Sequence, residues 1–194
     1  MEWKWLANIK EVVKDYSLGE IEGIKKNDKI YCCWNNLMRR TYLSDKYKNW
    51  ERYKGCTVAQ EWHTYSNFRN WYLENYYKVP GHKMELDKDI LVKGNKCYSP
   101  STCIFVPHEI NSLFTSNSKF RGSFPIGVNK HKDKFMAQIN GKGCIGVFNT
   151  PEEAFQAYKV AKEKRIKEVA DKYREWIPDR VYQAMINWKV KIDD

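Results

Sequence analysis

Two carboxylates one residue apart mark the stretch of this chain best equipped for chemistry. Asp87 and Asp89 flank Lys88 at the end of a short apolar run, and a turn follows at Lys93-Gly94-Asn95-Lys96. A second apolar run, Cys103-Ile104-Phe105-Val106, leads to Pro107, which opens what reads as a short helix carrying His108, Glu109 and Asn111. Strand, turn, strand and helix would bring Asp87 and Asn111 together. Carboxylate and amide both offer oxygen, the donor that a hard divalent cation such as Mg²⁺ or Mn²⁺ takes. Such an ion would stabilise the leaving oxygen and the extra charge of a phosphodiester under attack by water. Lys88, between two acids, keeps its charge, so a phosphate contact suits it better than proton abstraction. His108 lies three residues before Asn111, on the same helix face, and is the better general base near neutral pH. Asp89 would assist the cation or order the loop. His82, in the turn Val79-Pro80-Gly81-His82, reads as a surface histidine and as one of few other candidates for the base. The plainer alternative is that Asp87, Lys88 and Asp89 merely charge a hairpin turn.

The elements that must position these groups read as follows. Residues 1 to about 23 form a helix, with Trp5, Ile9, Val12, Val13 and Tyr16 at helical spacing. Residues 30–40 form the next, with Ile30, Trp34, Leu37 and Met38 on one side and Arg39-Arg40 at the end that favours cations. Both arginines are also candidates for phosphate. Residues 41–55 read as a loop, and Cys56-Thr57-Val58-Ala59 as a short strand. A helix over about 66–76 has the aromatic face Phe68, Trp71, Tyr72; aromatics this dense suit a core, or base stacking. A Ser/Asn/Lys/Arg-rich link spans 113–124.

The pattern changes at Pro125. Ile126-Gly127-Val128, the run from Phe135 to Ile139, and Ile145-Gly146-Val147-Phe148 read as three short strands. Turns are expected at His131-Lys132-Asp133 and Asn140-Gly141-Lys142-Gly143. Phe135, Ala137 and Ile139 alternate with Met136, Gln138 and Asn140, which predicts one apolar and one mostly polar face. Thr150, Pro151 and Glu153 carry three helix-start signals: N-cap, first-position proline and capping box. Ala154, Ala157, Tyr158, Ala161, Val169 and Ala170 supply the packing side of that helix. A final helix spans 178–188.

A chain of 194 residues accommodates two or three compact modules, and 42% hydrophobic residues are enough to give them cores. The formal charge of +10 favours a polyanion partner, chiefly nucleic acid. No run of 18 apolar residues appears, so no membrane span is expected. The N-terminus lacks the apolar core of a signal peptide. None of the six cysteines forms a CxxC pair, so they read as reduced, buried thiols of a cytosolic protein.

The stretch from Leu86 to Asn111 resembles the ββα-metal site of phage HNH endonucleases, where the sequence reads roughly I-D-x-x-D, G-N-x-Y-S-P-x-N-C-x-x-V-T and a later N. Asp87, Gly94-Asn95, Tyr98-Ser99-Pro100, Cys103, Val106 and Asn111 fall on that pattern. Trp34, Leu37-Met38, Arg40, Tyr53, Gly55-Cys56, Val58, Glu61-Trp62, Tyr65, Asn67-Phe68 and Trp71 match the region that precedes the site in such proteins. The resemblance implies that Asp87 and Asn111 are metal ligands. Two positions depart. The histidine that follows the first Asp is Lys88 here, and the loop-bracing Asn is Thr102, which can still cap backbone groups. The segment 125–173 looks like the Apetala-type (ethylene-response-factor-like) DNA-binding domain. Gly127-Val128, Lys134-Phe135, Ala137, Ile139, Ile145-Gly146, Phe148, Thr150, Glu152-Glu153-Ala154 and Ala157-Tyr158 follow its pattern in order. In that family the sheet enters the DNA major groove with the helix behind it.

Carried over by position, the DNA-facing set is Asn129, His131, Gln138, Asn140 and Lys142, with Met136 and Cys144 on the same face. Lys119, Arg121, Lys130, Lys132, Lys134 and Lys142 surround it against Asp133 alone, which predicts steeply salt-dependent binding. Family members place Arg at several of these positions, so a different sequence preference is expected. The chain is thus expected to be an α+β protein. N-terminal helices and a ββα module (about 82–116) would fill residues 1–117. A three-stranded antiparallel sheet on a helix, then a last helix, would fill 118–194. The expected function is that of a phage-encoded, monomeric homing or nicking endonuclease acting on double-stranded DNA in the host cytosol. The alternatives are a non-catalytic DNA-binding regulator or anti-defence protein on the same scaffold, and a protein-binding inhibitor of a host enzyme.

Overall fold

The computed structural model of the protein describes residues 28–42, 53–115, 124–139 and 143–192. The expected helix over 1–23, the boundary at 117/118, and Lys119, Arg121, Asn140 and Lys142 lie outside them. The architecture is α+β, as expected: helices and small sheets first, then a three-stranded antiparallel sheet on a long helix, then a last helix. The chain divides into two compact units, 1–105 and 106–194.

In the first unit, Asp28 starts helix α1 (Lys29–Tyr42) by accepting the backbone N–H groups of Ile30 and Tyr31 on Oδ1, at 2.9 and 2.8 Å. These are two of the donors that a helix start leaves unpaired. One side of α1 buries Trp34, Leu37 and Met38. Helix α2 (Tyr65–Asn75) buries Tyr65, Phe68 and Trp71 at a spacing of three. The aromatics are therefore core: Trp62 and Trp71 stand 4.6 Å apart, Phe105 closes on Trp71 at 5.5 Å, and Trp34 Nε1 donates to the Trp62 carbonyl at 2.7 Å. Fully burying a side chain such as Phe68 or Leu37 stabilises by about 1.5–3 kcal/mol.

Strand β1 (Thr57–Val58) pairs in parallel with β3 (Cys97–Tyr98), a strand that the sequence pattern did not suggest. Two residues are too few to show alternation. Strand β2 (Met84–Asp87) pairs with β4 (Ile104–Pro107), and helix α3 (His108–Phe114) follows.

The second unit is organised by helix α4 (Pro151–Lys172). All the expected start signals are formed: Thr150 accepts from the Glu153 N–H, Glu153 returns the bond to the Thr150 N–H, and Pro151 takes the first turn. Such a cap contributes about 1 kcal/mol. Strands β5 (Val128–His131), β6 (Lys134–Ile139) and β7 (Gly143–Phe148) form the sheet in that order. Strand β5 starts two residues later than the sequence pattern suggests. Gly127 has φ +76 and the Val128 N–H closes a turn on the Pro125 carbonyl, so Ile126-Gly127 cannot extend it. The core joins Val128, Ala137 and Ile139 of the sheet to Ala154, Phe155 and Tyr158 of α4. The last helix, α5 (Asp179–Ile186), buries Val181 and Met185. Among the described residues, no helix is long and apolar enough to cross a membrane.

Candidate functional site

The first candidate is the loop after β2. Asp87 is buried, and its Oδ1 accepts two backbone N–H groups, from Asp89 and Ile90, both at 2.7 Å. That is a carboxylate closing its own turn. Burial pushes the Asp87 carboxyl above the ordinary carboxylate range, with the Ile90 N–H bond acting the other way. Lys88 is 9% exposed. Its ammonium donates to both oxygens of Asp89 and to the Asn95 carbonyl, each at 2.7 Å, and lies 5.6 Å from the centre of the buried Tyr98 ring. Asn95 returns the contact: Nδ2 donates to the Lys88 and Cys97 carbonyls, and Oδ1 accepts the Cys97 N–H. Thr102 caps backbone as its type allows, donating to the Cys97 carbonyl at 3.0 Å and bonding Ser99 Oγ at 2.8 Å.

Within the loop this donor set leaves one carboxylate oxygen, Asp87 Oδ2, for a divalent cation. Both Asp89 oxygens are held by Lys88, and both N–H bonds to Asp87 fall on Oδ1. Among the described residues no three His, Cys, Asp or Glu side chains cluster as metal ligands do. Asp87 belongs to the first unit and Asn111 to the second. His82 and His108 are exposed, and His108 opens α3, which also carries Asn111. Arg40 lies over the rings of Tyr53 (5.3 Å) and Tyr98 (4.8 Å), a packing role within the unit rather than a free arm for phosphate. Two participants were missed in the sequence: Asn95 as the hub of the loop, and Tyr98 beneath Lys88. The turn signal and the motif match named both residues without showing these contacts.

The second candidate is the side of the β5–β7 sheet opposite that of the buried Val128, Ala137 and Ile139. Directly opposed residues share a face. The pairs Asn129↔Met136, His131↔Lys134, Met136↔Val147 and Gln138↔Cys144 therefore form one continuous row. Asn129, His131, Lys134, Gln138 and Cys144 are exposed, as expected. Lys132 is exposed in the turn at φ 54, a left-handed conformation that is uncommon for Lys. Lys130 is opposite Phe135 and its ammonium sits 4.5 Å from that ring's centre, so it belongs to the sheet's other side. The row is less polar than expected. Val147, opposite Met136, is 45% exposed. A register shift between Ala137 and Gln138 breaks the two-residue period in β7, which puts Cys144 and Val147 on one face although they are three apart. Sequence alternation alone could not show this. Cys144 is also a correction to the expectation of buried thiols: all six cysteines are free, but only Cys56 and Cys103 are buried.

No protein-family model, curated protein or solved structure compared with the chain matches it.

Proposed function

We propose that this is a duplex-DNA-binding protein that lays the open face of β5–β7 in the major groove and uses the HNH-like stretch as scaffold. The row Asn129, His131, Lys134, Met136, Gln138 carries the reading. It holds hydrogen-bonding side chains and cations turned outward on a short sheet, whose inward side is filled by α4. A short sheet is narrow enough for that groove. Lys132 and Lys134 at the β5–β6 turn, against Asp133 alone, supply phosphate contacts.

The test is fluorescence anisotropy of a labelled duplex over a salt series. Affinity should fall linearly on a log–log plot, and Lys132→Ala should reduce the slope by about one. No affinity at low salt removes the proposal, and the inhibitor reading then leads.

A second reading is metal-dependent nicking of the duplex, with Mg²⁺ or Mn²⁺ on Asp87. One observation favours it: the two bonds to Asp87 leave Oδ2 as the oxygen that a cation would take. Incubation with supercoiled plasmid decides. Nicking that needs Mg²⁺ or Mn²⁺ and disappears in Asp87→Ala would establish it; no nicking by the wild type, or equal nicking by Asp87→Ala, removes it.

A further inference from the structure

We infer that the open face of the sheet reads A·T base pairs. The inference rests on the DNA-binding proposal and adds the sequence class. The chemistry of the row is selective. Asn129 and Gln138 are exposed on adjacent strands, with Asn129 Nδ2 3.4 Å from Gln138 Oε1. A carboxamide donates and accepts in the pattern that adenine N7 and N6 present in the major groove. Beside them stand Met136, directly between Asn129 and Val147, and the exposed Val147. An exposed branched side chain beside a half-buried thioether, at the centre of a polar row, gains by covering an apolar group. The only such group on a major-groove edge is the thymine methyl. An A·T pair offers both features at once. Guanine is most often read by Arg or Lys, and none of the three strands holds an arginine. The cations of this face, Lys132 and Lys134, sit at the β5–β6 turn. They lie at one end of the row, where they suit the backbone, and leave its middle to the carboxamides and apolar groups.

The experiment uses the full chain and three labelled duplexes of equal length at one salt concentration. One is A·T-rich, one G·C-rich, and the third repeats the A·T-rich sequence with deoxyuridine for thymidine. The A·T-rich duplex should bind roughly tenfold or more tightly than the G·C-rich one, since each bidentate base contact is worth about 5- to 150-fold. Deoxyuridine should weaken binding by about threefold or more, because the methyl is gone while the hydrogen-bonding edge and charge remain. That arm also separates groove reading from the narrow minor groove of A·T tracts, which could attract the lysines by shape. Asn129→Ala with Gln138→Ala should level the two natural duplexes and keep the salt slope. Gln138→Arg, should the double variant fold poorly, is expected to move preference toward G·C. Equal affinity for both natural duplexes, a G·C preference, or indifference to deoxyuridine overturns the A·T inference and leaves DNA binding standing. Absence of binding to all three overturns the DNA-binding proposal itself.

Discussion

The loop after β2 and the open face of the sheet both carry polar groups and use them in opposite ways. In the loop the charges are turned inward. Lys88 is held by Asp89 and Asn95, and Asp87 Oδ1 closes the turn on two backbone N–H groups. On the sheet the carboxamides face solvent and, among the described residues, bond each other at 3.4 Å. A polar group already bonded within the chain must give up that bond before it can serve a ligand, whereas one facing water exchanges it at little net cost. The loop that most resembles an enzyme site is thus the region more committed to the fold, and the sheet is the region more available to a partner.

The largest effect is expected from the inward side of the sheet. A Cβ on Gly127 would fall 2.1 Å from a ring carbon of Tyr158, at a residue whose φ is +76. Overpacking and left-handed strain together should cost about 3 kcal/mol or more. Gly127→Ala should therefore unfold the second unit at a lower urea concentration and abolish DNA binding with it. A wild-type midpoint would mean that stability is not concentrated on that side. The corresponding change in the loop, Lys88→Met, leaves the Asn95 carbonyl and the Asp89 carboxylate without their donor. Removing one partner of a buried pair is costly, but Asp89 is 37% exposed and recovers water. A loss of about 2 kcal/mol by urea titration is expected, with Mg²⁺ making no difference. Rescue of Lys88→Met by Mg²⁺ would show that the loop does accept a cation, and would revive the metal reading.

The contrast between the regions also explains what the sequence could disclose. Helices α1, α2 and α4 were legible because their signals are local: a stripe at 3.6-residue spacing, and Thr150-Pro151-Glu152-Glu153 at a helix start. Strand β6 was legible from strict alternation, whereas β5 was expected two residues early. The loop was visible as a motif, but its wiring was not. That Lys88 would turn toward Asn95, seven residues away, depends on burial set by Tyr98 and the core beneath it. The face of Val147 depends on a register shift between two strands, which no single strand encodes.

An intermediate effect is expected at Glu109. In the second unit its carboxylate accepts from Lys172 and Tyr173 on Oε2 and from Arg165 on Oε1 at 3.0 Å, which fixes α3 to α4. The Lys172 bond is the main reason that its pKa lies below the ordinary 4.5, with partial burial opposing. A carboxylate with a depressed pKa contributes stability that is present above pH 4.5 and is lost as pH falls through its lower folded value. Glu109→Gln should cost about 1 kcal/mol at pH 7, and the gap from wild type should close toward pH 3 in thermal melts. A gap that stayed constant with pH would show that the charge is not what joins the helices.

The smallest effect on stability should come from the open face, and it is the sharpest test of the comparison. Asn129 and Gln138 are exposed, and the one bond between them is long and open to water. Asn129→Ala and Gln138→Ala should each leave the urea midpoint within about 0.5 kcal/mol of wild type, the ordinary range for surface substitutions. Alanine also lacks the strand preference of larger side chains, but one strand position spans at most about 1 kcal/mol of propensity and far less from Asn, itself a poor strand former. DNA affinity should fall while stability holds. If either change destabilised the fold as much as Lys88→Met, the carboxamides would be part of the architecture, and the division between an inward-turned loop and an outward-turned sheet would fail.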